Sequence, residues 1–190
     1  MKRICLLTAA AGLSLATSML GLAAATAPAA QAATRPSQPG TARNLLGASA
    51  PLHSGTAGDP FFIVNYNSGL CLGISGGADD APAVQWNCES VANQEWHVGA
   101  ELGSTGYYQF VNGDGQCLGI AGSSTSEGAR AYGWTCNGHH DQYWYATGGV
   151  AFNYNSGDVL GVAGGSTAVG AAVVQWPFTG AANQYWIEES

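Results

Sequence analysis

The sequence predicts an all-β domain of short strands, assembled from three copies of one structural unit. The first observation is a Gln-x-Trp motif that occurs three times, with its Trp at positions 96, 144 and 186. The second is a set of aromatic and β-branched runs, such as FFIVNYNSG and YYQFVNGDG, that end in turns rich in Asn, Asp and Gly. The third is the lack of a convincing 3.6-residue apolar period after residue 58, which argues against amphipathic helices.

Each unit carries the same features in the same order. A Cys-Leu-Gly-Ile segment at 71–74 returns at 117–120, and its counterpart at 159–162 is Val-Leu-Gly-Val. A Gly lies five residues after the start of each segment, and a Trp precedes each motif Trp by ten residues. Recurrence of several features in one order indicates a threefold repeat within a domain at 59–190. The repeats are placed at about 60–103, 104–147 and 148–190.

The segment before the domain has the pattern of a secretory signal followed by a linker. It has a basic start at Lys2 and Arg3, an apolar middle, and an Ala-Gln-Ala exit at 30–32. This order is typical of a cleaved signal peptide, which we assign to 1–32. Residues 33–58 are rich in Pro, Gly, Ser, Thr and Ala and are expected to form a flexible linker. The protein is therefore predicted to be secreted.

The charge of the chain argues against two classes of partner. The sequence has five Lys and Arg against twelve Asp and Glu, which gives a net charge of −7. Two of the five cations, Lys2 and Arg3, lie in the predicted signal, so the secreted part is still more acidic. Nucleic acids need cations that displace counterions from phosphates, and anionic membranes attract basic segments. We therefore expect neither partner, and the abundant Trp and Tyr favour a neutral polar ligand.

Four cysteines remain once the predicted signal is removed, and the repeat predicts how they pair. Cys71 and Cys88 hold the same places in repeat one as Cys117 and Cys136 hold in repeat two. Four cysteines allow three pairings, and the repeat selects Cys71 with Cys88 and Cys117 with Cys136. Repeat three has apolar residues at both places, and this joint replacement supports the pairing. The sequence lacks the C-x-x-C spacing that is typical of metal sites, and no cofactor is expected.

These motifs resemble those of the ricin B-type lectin family, a group of carbohydrate-binding modules with a β-trefoil fold. The shared signs are the three Gln-x-Trp motifs, the paired Cys, the Cys-Leu-Gly-Ile strands and a Val-Gln-Trp segment before the second Cys. The resemblance covers about residues 60–190. It implies three trefoil units around a pseudo-threefold axis, and binding of galactose, xylan fragments or related sugars. We expect a monomer without enzyme activity.

The family pattern implies that an aromatic residue, an amide and an acid bind the sugar in each repeat. The aromatic positions of this sequence are Trp86, Trp134 and Trp176. The amide positions are Asn93, Asp141 and Asn183. The acid positions carry Gly73, Gly119 and Gly161 instead. We expect these Gly to face outward, so that the hydrogen bonds of a charged acid, worth about 1.5–3 kcal/mol each, are missing.

The sequence leaves the orientation of the three Trp side chains open. Strand alternation puts Val84 and Trp86 on one face and Ala83 and Gln85 on the other. If Val84 is in the core, Trp86 is buried with it, and Gln85 and its counterpart Gln175 become outward candidates for sugar contact. If Val84 is not in the core, the Trp side chains face outward and can stack on a sugar.

The Gln-x-Trp motifs themselves are interpreted as scaffold. A threefold core needs three equivalent large side chains, and a buried amide must find hydrogen-bond partners. The motif residues are Gln94, Trp96, Gln142, Trp144, Gln184 and Trp186. Beside the second motif, His139 and His140 are expected in a solvated loop, where His140 could reach a ligand next to Asp141. Asp79 or Asp80 could replace the missing acid in repeat one.

The sequence supports two functions. The repeated Trp and Asn positions favour a carbohydrate-binding module that binds polysaccharide weakly at several sites. The three Gly at the acid positions favour a protein-interaction or inhibitor module on the same scaffold. A catalytic role is not expected, because the sequence has no G-x-S-x-G elbow, no H-E-x-x-H and no phosphate-binding Gly loop.

Overall fold

The computed structural model describes residues 59–190, and the predicted signal peptide and linker lie outside this range. Within it the chain forms twelve short strands, which confirms the predicted all-β class. The strands are β1 (Phe62–Asn65), β2 (Cys71–Ile74), β3 (Ala81–Trp86), β4 (Trp96–Glu101), β5 (Tyr108–Asn112), β6 (Gln116–Ile120), β7 (Ala131–Thr135), β8 (Trp144–Thr147), β9 (Val150–Asn153), β10 (Val159–Val162), β11 (Val173–Trp176) and β12 (Trp186–Glu189). Single 3-10 turns span Ala121–Ser123, His140–Gln142, Ala163–Gly165 and Ala182–Gln184. Four strands fall in each predicted repeat.

Each repeat contains a central antiparallel hairpin with the same register. The hairpins pair β2 with β3, β6 with β7, and β10 with β11. Across them, Cys71 lies opposite Trp86, Cys117 opposite Trp134, and Val159 opposite Trp176. The other strands join the repeats, because β4 pairs with β5, β8 with β9, and β1 with β12. The last of these pairings brings the two ends of the domain together.

The Gln-x-Trp side chains lie inside the domain. Trp96, Trp144 and Trp186 are each 0% exposed. Each indole N–H donates to the Leu carbonyl of the central hairpin in its own repeat, at 3.0, 2.9 and 3.0 Å. The motif Gln side chains are buried too, and each accepts a hydrogen bond from the backbone N–H five residues earlier. The core is therefore threefold in its side chains as well as in its backbone.

Two disulfides hold the hairpins of the first two repeats. Cys71 is bonded to Cys88 and Cys117 to Cys136, and the Cα atoms of each pair are 5.0 Å apart. The predicted pairing is confirmed. In repeat three, Phe178 takes the place of the second Cys, and its ring contacts two neighbouring aromatic rings at centroid distances of 6.0 and 6.1 Å. Aromatic packing therefore occupies the place where the other repeats have a covalent bond.

Gln85 and Gln175 are buried, and each forms hydrogen bonds to a neighbouring repeat. Both are 0% exposed. The Gln85 amide donates to the carbonyls of Ser166 and Ala168 in repeat three, at 3.0 and 2.9 Å. Gln175 makes the same two bonds to carbonyls of repeat two, at 2.9 and 3.0 Å. The prediction that these Gln could face outward is wrong, because the side of the strand that carries them faces the interior and the Trp that follows each one points out.

The boundary between repeats one and two is held by different residues. Gly133 is the counterpart of Gln85 and Gln175 and has no side chain that could make their bonds. At this boundary the Gln116 amide donates to the Ala78 carbonyl at 2.7 Å. Both carboxylate oxygens of Asp79 accept bonds from Thr135, at 2.6 Å from its N–H and 2.7 Å from its hydroxyl. Asp79 therefore joins two repeats and does not replace the missing acid in repeat one.

Candidate functional site

The three Trp of the central hairpins stand on the outer surface. Trp86, Trp134 and Trp176 are 44%, 40% and 44% exposed. The Trp86 ring packs on Gly170 of repeat three, where a Cβ would lie 3.3 Å from the ring, and the Trp176 ring packs on Gly128 of repeat two, where a Cβ would lie 3.2 Å away. These two rings are each held by a neighbouring repeat while much of their surface stays available to a ligand.

Gly73, Gly119 and Gly161 were expected to face outward, but they are buried. Every residue of the strands that contain them is buried, and the turn with the Gln-x-Trp motif packs directly over them. A Cβ at Gly73 would lie 2.9 Å from Cγ of Gln94, and a Cβ at Gly119 would lie 2.8 Å from Oδ2 of Asp141. The expectation was wrong because the chain itself, not solvent, occupies this side of the strand.

This close approach gives a test of the packing. We expect Gly73→Ala to lower the free energy of unfolding by about 1–3 kcal/mol, the usual cost of overpacking. The Gln94 side chain cannot yield easily, because it accepts a hydrogen bond from the Glu89 N–H at 2.9 Å. Gly161→Ala is the comparison, since its Cβ would lie farther away, at 3.3 Å from Cγ of Gln184, and we expect it to cost less than Gly73→Ala. Urea unfolding measures both variants, and equal costs would contradict this account.

The amide positions turn back onto the central hairpins. Asn93 and Asn183 each donate to the carbonyl of the residue after the strand Gly, at 2.7 and 2.8 Å. Asp141 reverses this pattern, because its carboxylate accepts from the N–H of Ile120 at 3.0 Å and from the hydroxyl of Ser123 at 2.6 Å. Repeat two is therefore the repeat that has a carboxylate at this point of the hairpin.

A cleft of about 330 Å³ lies beside Asp141, at the boundary of repeats two and three. Its lining residues are Ser123, Gly138, His139, His140, Asp141 and Asn155. Asn155 comes from repeat three, and its amide donates to the Ser123 carbonyl at 2.9 Å. A hydroxyl, a carboxylate, imidazole rings and an amide thus converge in one cleft. Such convergent polar groups fix the orientation of a ligand that is rich in hydroxyl groups.

An aromatic pair borders the cleft. The rings of His140 and Tyr154 lie 4.9 Å apart at an angle of 77°. His140 and Asp141 were predicted near a ligand, but Ser123, Tyr154 and Asn155 were not. Tyr154 and Asn155 were missed because they belong to repeat three, and Ser123 because repeat three has a Gly at its place. The available signal was the Asn-Tyr-Asn-Ser-Gly segment, which occurs at both 65–69 and 153–157.

The two related boundaries carry different groups. At the boundary of repeats three and one, Asn67 donates to the Gly165 carbonyl at 3.1 Å, but a Gly and Ala182 replace the Ser and His of the cleft. At the boundary of repeats one and two, Gly113 packs so closely that a Cβ would lie 2.9 Å from Cα of Ala92. The three places are therefore related by the fold but unequal in chemistry.

Trp176 has two carboxyl groups beside it. Asp158 precedes Val159, the strand partner of Trp176, and Glu127 precedes Gly128, on which the ring packs. Burial and, second, the charge of Glu127 raise the pKa of Asp158 above its ordinary value.

The raised pKa predicts a pH-dependent effect of Asp158→Asn. An acid whose pKa is raised by folding stabilises the fold below its ordinary pKa of 3.8, and this contribution is lost as the pH rises through the raised value. We expect the variant to be more stable at pH 7 by less than about 1 kcal/mol, the range for exposed charges, and the gain to vanish near pH 3. Urea unfolding at both pH values checks this, and an equal gain at both would contradict it.

Residues 59–190 contain neither a candidate metal site nor a helix that could span a membrane. In this range no three His, Cys, Asp or Glu side chains lie together in a way that could hold a metal ion. The same range has no helix that is long and apolar enough to cross a membrane. His140, predicted to reach a ligand beside Asp141, lines the cleft together with it.

The chain matches a known protein family and has the same fold as several solved structures. A family model for the ricin-type β-trefoil lectin domain matches residues 59–186. Among curated proteins no match is found. Among solved structures, the chain is similar to ThreeFoil, a designed protein with threefold symmetry, at 28% identity and a TM-score of 0.65. That similarity covers 69% of this chain and 98% of the designed protein.

Two natural proteins show the same fold. One is an exo-β-1,3-galactanase from Clostridium thermocellum, at 27% identity and a TM-score of 0.64, with 70% of this chain and 30% of the galactanase covered. The other is a ricin B-like lectin from Macrolepiota procera, solved with lactose, at 21% identity and a TM-score of 0.60, with 72% and 99% covered. Together with the family model, these similarities confirm the β-trefoil fold.

Proposed function

Because the chain belongs to the ricin-type β-trefoil lectin family, we propose that it is a carbohydrate-binding module without catalytic activity. The cleft at the boundary of repeats two and three carries this proposal. There Ser123, Asp141 and Asn155 bring hydrogen-bonding groups together beside the His140 and Tyr154 rings. A sugar offers the matching chemistry, because its hydroxyls both donate and accept hydrogen bonds and its C–H face packs on aromatic rings.

The charge of the cleft favours a neutral ligand. Asp141 is 7% exposed and its carboxylate already accepts two hydrogen bonds from the protein. A carboxylate accepts from several donors at once, so hydroxyl groups can complete its shell. The chain has few cations to attract an anionic sugar. Galactan is the first polymer to test, because the Clostridium thermocellum protein similar to this chain is an exo-β-1,3-galactanase.

The exposed Trp side chains favour weak binding at several points on a polymer. Trp86, Trp134 and Trp176 lie at equivalent places in the three repeats and are each at least 40% exposed. A ring on a convex surface holds a sugar less tightly than a cleft does. Linked weak sites gain affinity on a polymer, because the second contact becomes intramolecular. We therefore propose a polysaccharide rather than a free monosaccharide as the ligand.

Secretion is part of the same proposal. The predicted signal peptide precedes a domain that holds two disulfides. Disulfides form and persist in oxidising compartments outside the cytosol. A secreted monomeric module would meet polysaccharides there.

The alternative, a protein-interaction or inhibitor module, loses the observation that motivated it. Gly73, Gly119 and Gly161 suggested that a sugar site had been abandoned. Their lack of a side chain is explained by the Gln-x-Trp turn that packs over them. The packing of the domain therefore favours the carbohydrate-binding module over the protein-interaction module.

A matched pair of variants tests the cleft. We expect Asn155→Ala to weaken glycan binding about tenfold, or about 1.4 kcal/mol, because it removes a polar group from the cleft. Asn67→Ala should have little effect on binding. The two side chains make the same structural bond, to the Ser123 carbonyl at 2.9 Å and to the Gly165 carbonyl at 3.1 Å, so their costs to folding should match.

The measurement begins with a glycan array and pull-down on soluble and insoluble polysaccharides, including β-1,3-galactan. Isothermal titration of the best ligand then compares wild type, Asn155→Ala and Asn67→Ala. Blank arrays and pull-downs at high protein concentration would overturn the proposed function. Equal affinities for the two variants would show that the ligand binds elsewhere on the domain.

A further inference from the structure

A group of exposed aromatic rings continues from the cleft across the surface. We call it the tyrosine platform, and it consists of Tyr107, Tyr145 and Tyr154. Tyr145 and Tyr154 are 41% and 40% exposed, and Tyr107 is partly buried between them. Tyr154 borders the cleft, but the cleft does not account for Tyr107 and Tyr145, because neither of them lines it. A connected set of exposed aromatic side chains is a common mark of an interaction surface.

The platform and the cleft form one continuous surface. The His140 ring, which lines the cleft, lies 4.9 Å from the Tyr154 ring. Tyr154 lies 5.0 Å from Tyr107, and Tyr107 lies 5.6 Å from Tyr145. At these distances neighbouring rings are in contact with each other. A ligand that occupied the cleft and extended beyond it would therefore meet a continuous aromatic surface.

The platform occurs at one boundary of the three. The residues that correspond to Tyr107 in the other repeats are a Pro and a Gly, and those that correspond to Tyr145 are His97 and Ile187. Tyr66 is the counterpart of Tyr154 and is 56% exposed, but at its boundary Gly148 and Ile187 hold the places of Tyr107 and Tyr145. The aromatic row and the cleft thus coincide at the boundary of repeats two and three.

We propose that the tyrosine platform binds successive units of one glycan chain whose end unit occupies the cleft. This inference rests on the proposed function and narrows it from carbohydrate in general to a single oligosaccharide or polysaccharide chain. Aromatic rings suit this role, because each pairs a large apolar face with few rotatable bonds.

The angles between the rings determine the shape of that chain. The His140 and Tyr154 rings meet at 77°, the Tyr107 and Tyr154 rings at 81°, and the Tyr107 and Tyr145 rings at 43°. A flat crystalline polymer needs coplanar rings to contact it all at once, and these rings are not coplanar. A twisted single chain turns its successive faces and can meet rings at different angles. The platform therefore selects soluble, twisted chains over flat crystalline surfaces.

Oligosaccharides of increasing length test the platform. Isothermal titration would use galactose and β-1,3-galacto-oligosaccharides of two to six units, with the matching β-1,4-xylan and β-1,4-glucan series alongside. We expect wild-type affinity to rise with length until every ring is covered, and then to level off. Tyr145→Ala should weaken binding of the longer chains several-fold and leave binding of the shortest ligand that fills the cleft nearly unchanged. Tyr154→Ala should weaken binding of both, because its ring borders the cleft.

Tyr66→Ala is the matched control. The backbone N–H groups of Tyr66 and Tyr154 make equivalent bonds, to the carbonyls of Tyr185 and Tyr143, and both side chains are exposed, so both variants should fold. Tyr66→Ala should retain the full dependence on chain length. Microcrystalline cellulose in a pull-down should retain little protein.

The outcomes separate the two proposals. Binding that does not depend on chain length, or equal losses in Tyr66→Ala and Tyr154→Ala, would overturn the platform and leave the proposed function standing. Tyrosine-dependent retention on microcrystalline cellulose would overturn the preference for a single twisted chain. Absence of binding in every series and on the glycan array would overturn the proposed function together with the platform.

Discussion

Replacement of Trp186 by Ala is expected to lower the free energy of unfolding by about 3–5 kcal/mol, the range for a large aromatic side chain removed from a core. Trp186 is 0% exposed, and its indole N–H donates to the Leu160 carbonyl at 3.0 Å. The Ala variant would have both a cavity and a buried carbonyl that lacks this donor. Domains are stable by only about 5–15 kcal/mol, so this one change removes a large part of the total.

Trp176→Ala is the control for this prediction. Trp176 lies in the same repeat, ten residues earlier, and is 44% exposed. We expect its loss to cost less than about 1 kcal/mol, because it leaves no closed cavity. Urea unfolding followed by circular dichroism compares the two variants without relying on the fluorescence of the replaced residue. Similar costs would mean that the two sets of Trp do not divide into core and surface.

Loss of the bridge in repeat two has the second largest expected effect. The double variant Cys117→Ala/Cys136→Ala should lower the free energy of unfolding by about 3 kcal/mol, because the bridge restricts the unfolded chain. The two cysteines are 19 residues apart in the sequence, which sets the size of the closed loop. Thermal and urea unfolding under oxidising conditions measure the change. A reducing agent should destabilise wild type by more than it destabilises the double variant, because the double variant no longer has this bridge to lose.

A second double variant distinguishes the bridge from the packing around it. Cys117→Val/Cys136→Phe gives repeat two the residues that repeat three has at these places. Phe178 of repeat three packs against two aromatic rings, but repeat two offers Tyr143 and, in place of the other ring, Val111. We therefore expect this variant to regain part of the lost stability. Complete recovery would show that packing, and not restriction of the unfolded chain, accounts for the effect of the bridge.

The scaffold could be predicted because its residues occur three times. The motif Trp, the hairpin Leu-Gly and the Cys pairs each have counterparts, so one repeat checks another. The pairing of Cys71 with Cys88 followed from the absence of both partners in repeat three. Arguments of this kind need no knowledge of which face of a strand is buried, and they were confirmed for the fold class and the disulfides.

The direction of side chains was harder to predict. Ala83 and Val84 are neighbours in strand β3, so their side chains point to opposite faces. Both are apolar, and the larger Val84 suggested that its face is the core. The structure buries the smaller Ala83 with Gln85 and leaves Val84 half-buried, where it forms a bridge to Ala172 of repeat three. Burial of Gln85 depends on carbonyls supplied by a different repeat, which no local pattern reveals.

The cleft was the least predictable part for the same reason. Asp141 and His140 belong to repeat two, but Asn155 and Tyr154 belong to repeat three. A search within one repeat finds only half of such a site. The tyrosine platform adds Tyr107, which has no Tyr counterpart in the other repeats and therefore left no repeated signal.

The pairing of the first strand with the last restricts the order in which the domain can be made. Phe62 lies opposite Glu189, and Asn65 lies opposite Trp186. A ribosome releases β1 long before its partner β12 exists, and contacts between such distant residues form slowly. Completion of the trefoil thus waits for the last strand to be synthesised. Premature termination just before β12 would release a chain with one unpaired strand edge, which is prone to aggregate, and without one of its three core Trp.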